Sequence, residues 1–247
     1  MTSIRNDSNA AVEFSLAVLC YKAEEQIVPF VARLHRIMSM FGESWELVLV
    51  ANYWPGTGDR TPAIVENLAE RLDRVRYVAE PKQGGMGWDM KKGLDACRGR
   101  YIGIIDGDGQ YPTESIAACF AKIKADDVDL VKSYRVYRSD GFYRNVISMV
   151  YNVVFRVLFP AYRGYRDVNS KPKILKREAY ERMDLRSKDW FLDAELILEA
   201  LRLNLRIYEL PIRFSGLRGR KSFVRPQTIS EFIRNLIAYR WSAGRGQ

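Results

Sequence analysis

Histidine is almost missing from this chain: a single residue, His35, stands among 247. Zinc sites draw on clustered His and Cys ligands. The three cysteines, Cys20, Cys97 and Cys119, lie far apart with no C-x-x-C spacing. A zinc centre is therefore not expected. An odd number of scattered thiols in apolar surroundings argues against a disulfide framework and for reduced core cysteines in a cytosolic protein. Long apolar runs are missing too. The first thirteen residues hold no apolar core of a secretory signal and are expected to be a flexible lead-in. The greasiest stretch, 146–162, is broken by Asn152 and Arg156. It falls short of the roughly 18–20 uninterrupted apolar residues of a spanning helix. Repeats and low-complexity linkers are absent as well.

What remains is the composition of a folded chain, with 47% apolar, 12% aromatic and 28% charged residues. That excludes disorder and fits one sizeable α/β domain. The net charge of +9 is unevenly spread. Residues 132–166 hold seven basic side chains against Asp140 alone, and residues 202–247 hold ten against Glu209 and Glu231. The basic surplus belongs to the second half and admits nucleic acid, an anionic membrane or a phosphorylated small molecule as partner. No zinc-finger spacing, aromatic RNP stripe or basic zipper is present, so nucleic acid is set aside.

Apolar runs at Phe14–Cys20, Glu46–Ala51, Val75–Ala79, Tyr101–Ile105 and Val128–Ser133 read as strands. Between them lie helical spacings. Ile27, Phe30, Val31, Leu34, Ile37 and Met38 share one face. A second helix opens with Thr61 as cap and Pro62 in its first turn, a third follows Gly84, Gly85 and Gly87, and a fourth covers Thr113–Lys124. Alternation of this kind predicts a mostly parallel sheet with helices on both faces. Ligands in such folds bind at the carboxyl ends of the strands. The second half is less regular: helices are expected at Arg144–Phe159 and Phe191–Leu203, and strands at Lys171–Leu175 and at Leu205–Glu209, ending before Pro211. Thr228 caps a last amphipathic helix through Trp241.

The sharpest motif is Asp106-Gly107-Asp108-Gly109-Gln110, set directly after a strand. Two carboxylates two residues apart, freed by glycines, can reach one hard divalent cation, and Mg2+ or Mn2+ commonly bridges such ligands to substrate phosphates. A solvated acidic turn is the plainer alternative, since Asp-Gly pairs are common in turns. Asp193 and Glu195 stand two apart at a helix start, either as cap and solvated acid or as chemistry.

Taken in order, these motifs resemble family 2 glycosyltransferases of the GT-A fold. The pattern is most similar to the dolichol-phosphate mannose synthase-like branch, which includes bacterial polyprenyl-phosphate sugar transferases. The resemblance covers about residues 14–226. It rests on Leu19-Cys20-Tyr21, Asp59-Arg60-Thr61, the stretch Gly84–Gly93, Asp106–Pro112, Arg135, Asp167, Phe191–Leu196, Glu209-Leu210-Pro211 and Gly219–Phe223. It implies inverting transfer of a sugar from a nucleotide-sugar donor, helped by Mg2+ or Mn2+.

It also implies roles. Tyr21, Asn52, Lys82 and Gly84 border the nucleotide. Asp106 lies by the ribose and diphosphate, Asp108 on the metal, Gln110 by the diphosphate. Arg218, Arg220, Lys221 and Ser222 form a basic loop closing over phosphates. Asp193 serves as general base, or, if the acceptor is an already ionised phosphate, orients acceptor or sugar. Arg135, Arg138 and Arg144 bind the phosphate of a polyprenyl-phosphate acceptor, presented at the inner face of an anionic membrane to a peripheral enzyme. A soluble acceptor, and a weakly catalytic nucleotide-binding protein, stay open as alternatives, as does a homo-oligomer. Two departures bear on the nucleoside: the usual Tyr-Asn-Glu reads Tyr21-Lys22-Ala23, and the usual Asp-Asp reads Ala51-Asn52.

Overall fold

A computed structural model describes residues 11–138, 149, 152–162, 164–214, 234–236 and 239. Among the described residues seven strands form one sheet: β1 (Phe14–Leu19), β2 (Trp45–Val50), β3 (Val75–Val78), β4 (Tyr101–Asp106), β5 (Leu130–Arg138), β6 (Lys173–Lys176) and β7 (Ile207–Phe214). Their order across the sheet is β3-β2-β1-β4-β6-β5-β7. β6 runs antiparallel to both its neighbours, and the other four pairings are parallel.

Parallel strands buried on both faces need unbroken apolar sequence. FSLAVL and WELVLV meet that need, and every residue of β2 is buried. Alternate residues divide between two cores. Phe14, Leu16, Val18, Leu47 and Leu49 pack under α1 (Ile27–Ser39), α2 (Thr61–Arg71) and α4 (Glu114–Ala125). Ala17, Val48, Val50, Ile102 and Ile104 pack under α3 (Met86–Ala96) and α7 (Leu192–Arg202). The latter core also takes Phe155 from a helix over 152–158 (α5). A short α6 (Arg177–Glu181) follows β6 directly. Each fully buried Leu, Ile or Phe contributes about 1.5–3 kcal/mol relative to exposure, so the sheet is the stable frame for its loops.

Three expectations are corrected. The last strand does not stop before Pro211; it continues to Phe214. Proline lacks the N–H of a central ladder but is tolerated on an edge strand, and β7 is the sheet edge. The fifth strand runs to Arg138, because β7 pairs with it along that length. Thr61 does not cap α2 but is its first residue, with Arg60 at the cap position. Its hydroxyl and N–H both donate to Asp59 Oδ1, at 2.5 and 3.0 Å. The last helix, expected from Thr228 to Trp241, lies outside the described residues except for helical 234–236 and 239. So do most of residues 1–13 and, from the helix expected at Arg144–Phe159, residues 144–148, 150 and 151.

Candidate functional site

The sheet's strand order reverses between β1 and β4, the place where such folds open a crevice for ligands. The acidic turn sits there. The Gly107 N–H donates to Leu19 O at 2.9 Å, tying the turn to the end of β1. A Cβ at Gly107 would stand 2.7 Å from Ile27 Cδ1 and 2.8 Å from Leu19 O, so only glycine fits. Gly109 adopts φ +72°, which glycine takes without cost. Asp108 Oδ1 accepts the Gln110 N–H at 3.0 Å, fixing the second carboxylate within the turn. The Asp106 side chain keeps 26% exposure. Gln110 and Tyr111 are buried behind it, and Tyr111 meets Phe214 edge-on.

The flank expected to border a nucleoside is built from the ends of β1, β2 and β3. Lys82 is buried beneath the Tyr21 ring, its ammonium 4.3 Å from the ring centroid, and it pairs with Asp89 Oδ2. Asp89 Oδ1 accepts from Asn52 Nδ2 at 3.0 Å, and Asn52 Oδ1 accepts the Glu80 N–H at 2.9 Å. Burial pushes the Asp89 carboxyl up, and Lys82 and Asn52 offset only part of that. Asn52 is thus wholly buried with both ends of its carboxamide committed inside the protein. Lys82 N–H donates to Tyr53 O at 2.9 Å, and Trp54 stands exposed beyond it.

The glycines around the start of α3 have a structural reason. A Cβ at Gly84 would lie 2.7 Å from Lys188 Cβ, and one at Gly87 would lie 2.4 Å from Asp189 O. The backbone of 188–189 lies directly on Gly84, Gly85 and the first turn of α3, and the Trp88 N–H donates to Lys188 O at 2.9 Å. That segment is fastened to α7: Glu195 Oε2 accepts the N–H groups of Arg186 and Ser187, and Glu199 Oε2 accepts that of Asp184. Gly84 therefore sits against protein on this side of the site.

Toward β5 and β6 the site is densely charged. Asp193 is buried, with Oδ2 2.7 Å from Lys171 Nζ and Oδ1 bonded to Lys173 Nζ. Burial alone would raise its carboxyl, but Lys171 and Lys173 outweigh it and hold Asp193 below the usual carboxylate range. Lys171 Nζ also lies 3.4 Å from Asp106 Oδ1. Arg135 forms a bidentate pair with Asp167, Nε and Nη2 at 2.6 and 2.5 Å, and stacks on Phe214 at 5.1 Å. Burial disfavours the ionised Asp167, and the Arg135 guanidinium more than compensates. Lys132 is fully buried and bonds Glu209, and burial pulls its ammonium down. Arg138 ends β5, and its side chain lies outside the described residues. Arg144, Arg218, Arg220, Lys221 and Ser222 lie outside them altogether.

Residues 15–186 match the model of glycosyl transferase family 2. The chain belongs to that family. Among relatives of this family 2 chain, the dodecaprenyl-phosphate galacturonate synthase of Rhizobium johnstonii is 30% identical over 60% of this chain and 43% of its own length. The dolichol-phosphate mannosyltransferase of Pyrococcus furiosus is 25% identical over 91% of this chain and 63% of its own. The chain spans less than two thirds of either relative. Solved structures share the architecture at lower identity. Mannosyl-3-phosphoglycerate synthase from Rubrobacter xylanophilus superposes with a TM-score of 0.75 at 13% identity, over 96% of this chain and 76% of that one. Glucosyl-3-phosphoglycerate synthase from Mycobacterium tuberculosis, in complex with Mn2+, uridine diphosphate and glucosyl-3-phosphoglycerate, gives 0.70 at 17%, over 92% and 79%. The expected GT-A fold is thereby established.

The structure brings Tyr21, Asn52, Lys82, Asp106, Asp108, Gln110 and Asp193 to one end of the sheet. Sequence reasoning missed four contributors: Asp89, Lys171, Lys173 and the 184–189 segment. A signal for some was present. Asp193, Glu195 and Glu199 interrupt an otherwise apolar helix whose residues 192–200 are all buried. Carboxylates in such positions must find cations or N–H donors. Among the described residues no group of three or more His, Cys, Asp or Glu side chains could hold a metal. Asp106 and Asp108 as a pair still fit a hard cation that draws its remaining oxygens from a substrate's phosphates and water.

Proposed function

We propose that this chain transfers a sugar, with inversion, from a nucleotide-sugar donor to a polyprenyl phosphate at the inner face of the membrane, acting as a peripheral enzyme. The observation that carries the acceptor class is the state of Asp193. A hydroxyl acceptor needs a base, and Asp193 is buried with a lysine on each oxygen and an affinity for protons below the ordinary carboxylate. A phosphate acceptor is already ionised at neutral pH and attacks the anomeric carbon without one. The names of the relatives, with dodecaprenyl phosphate in one and dolichol phosphate in the other, support the same class.

The residues divide the work. Asp106 and Asp108 would hold Mg2+ or Mn2+, which would supply positive charge to offset that of the leaving nucleoside diphosphate. Gln110 sits by that diphosphate, and Arg218, Arg220, Lys221 and Ser222 bring further cations and donors to it. Tyr21 and Lys82 border the nucleoside, while Asn52 acts from beneath by fixing Asp89. Arg135, Arg138 and Arg144 would bind the acceptor's phosphate, with Arg135 set by Asp167. The membrane contact is the α5 helix, where Val153 and Val157 stand four residues apart and are 52% and 67% exposed. No helix among the described residues is long and apolar enough to cross a membrane. In this reading the exposed valines of α5 lie in the interface.

An acceptor panel tests the proposal. Donor should turn over, with Mn2+, only when polyprenyl phosphate in anionic vesicles is added. Turnover with soluble sugars or glycans alone would replace the lipid acceptor with a soluble one. Absence of any nucleoside diphosphate binding by calorimetry would instead mark a protein that keeps the fold without the activity.

A further inference from the structure

β4 and β6 run antiparallel with Ile104 opposite Lys173. Carried two residues further, that register sets Lys171 opposite Asp106, and the ammonium does lie 3.4 Å from Asp106 Oδ1. Lys171 bridges onward to Asp193, and Asp193 to Lys173. The four side chains form one row, Asp106, Lys171, Asp193, Lys173, in which two carboxylates balance two ammonium groups. Three of them are sealed: the side chains of Lys171, Asp193 and Lys173 are 2%, 1% and 0% exposed. Asp106 alone opens to the crevice. Lys173 by itself would satisfy the charge of Asp193, so the second ammonium, Lys171, is left to serve the Asp106 carboxylate.

We propose that Lys171 is a positioning residue that holds the Asp106 carboxylate at the mouth of the site and offsets its charge. The Asp106–Asp108 pair then presents a reduced negative charge while the site is empty. A divalent cation is captured firmly only when a nucleoside diphosphate adds its own oxygens and charge. Metal and donor are bound as a coupled pair, and the source of the coupling is an ammonium that competes with the cation for Asp106. This inference rests on the cation–diphosphate reading of the acidic turn.

The test is Mn2+ binding by the full chain, followed through the electron paramagnetic resonance signal of free Mn2+, alone and with uridine or guanosine diphosphate. Lys171→Met removes the competing charge and leaves Asp193 and Lys173 matched one to one. It should bind Mn2+ alone about tenfold tighter than the wild type, and the tightening produced by the diphosphate should shrink in proportion. Lys171→Arg, which keeps the charge, should stay within about twofold of wild type. Damage to the fold would move the affinity the other way, and thermal melting reports it independently. If methionine is not tolerated, Lys171→Gln keeps an N–H for Asp193 and carries the same expectation. A folded neutral variant with unchanged or weaker Mn2+ affinity overturns the role of Lys171 while leaving the metal reading intact. No Mn2+ binding by wild type or variants, with either diphosphate, overturns both.

Discussion

Replacing Asp193 by asparagine separates a structural carboxylate from a catalytic one. The substitution keeps shape and removes one charge from a pocket in which Lys171 and Lys173 are both fully buried. Asp106 remains to face Lys171, but Lys173 loses its carboxylate. Breaking a buried ion pair from one side costs about 3–5 kcal/mol, because the remaining charge stays desolvated. For a chain of this length each kcal/mol lowers the melting temperature by about 2–4 °C, so Asp193→Asn should melt about 6–20 °C below wild type. Circular dichroism melting measures this directly. The pH dependence has a definite sign. Asp193 has a depressed carboxyl, so its contribution is complete above the ordinary aspartate value, about 3.9, and is lost as pH falls through the lower native value. Wild type should therefore lose stability from this source only below about pH 4, and Asp193→Asn should lack that part of the acid limb. A melting temperature within about 1 °C of wild type, together with a collapse of kcat, would instead make Asp193 the base.

Gly87→Ala places a Cβ within 2.4 Å of Asp189 O and 2.8 Å of Asp189 N, both backbone atoms that cannot swing aside. Overpacking of this kind costs about 1–3 kcal/mol, offset by up to about 1 kcal/mol of helix propensity, so a modest loss in urea unfolding should come with weaker donor binding. Lys82→Met leaves Asp89 buried without its cation and should cost about 3–5 kcal/mol. Adding Asp89→Asn should recover most of that, as a double-mutant cycle by denaturant titration would show. Val153→Asp with Val157→Asp should weaken binding to anionic vesicles by about tenfold or more in a flotation assay. The melting temperature should hardly move, since both side chains are exposed.

Most of the fold was legible because its signals are local. Apolar runs marked the strands, apolar spacing marked α1, and Pro62 lies in the first turn of α2 as read. Strand ends were harder, since β5 and β7 lengthen each other by pairing and Pro211 is tolerated only through its place at the edge. The acidic turn was legible for the same local reason: strand, carboxylates and glycines are contiguous. Asp89, Lys171 and Lys173 were not, because their meaning depends on which distant groups they meet. Asn52 meets Asp89 across 37 positions, and Lys171 meets Asp193 across 22. The departure at Ala51-Asn52 was visible in sequence. Its physical counterpart, a buried Asn52–Asp89–Lys82 cluster beneath Tyr21, needed the fold.

The proposed sugar transfer to a lipid phosphate through the Asp106–Asp108 turn can be followed in one assay. The most direct measurement supplies radiolabelled nucleotide sugars, Mn2+ and polyprenyl phosphate in vesicles, and counts label in the organic phase for wild type and Asp108→Asn. The wild type should give a labelled sugar–phosphate lipid of inverted anomeric configuration. Chelation of the metal should abolish the product, and Asp108→Asn should lower its rate by about a hundredfold or more, as loss of a charge-stabilising group in other enzymes does. Label found only in water-soluble products, or a lipid product formed equally well by Asp108→Asn, would rule out transfer to a lipid phosphate through this turn.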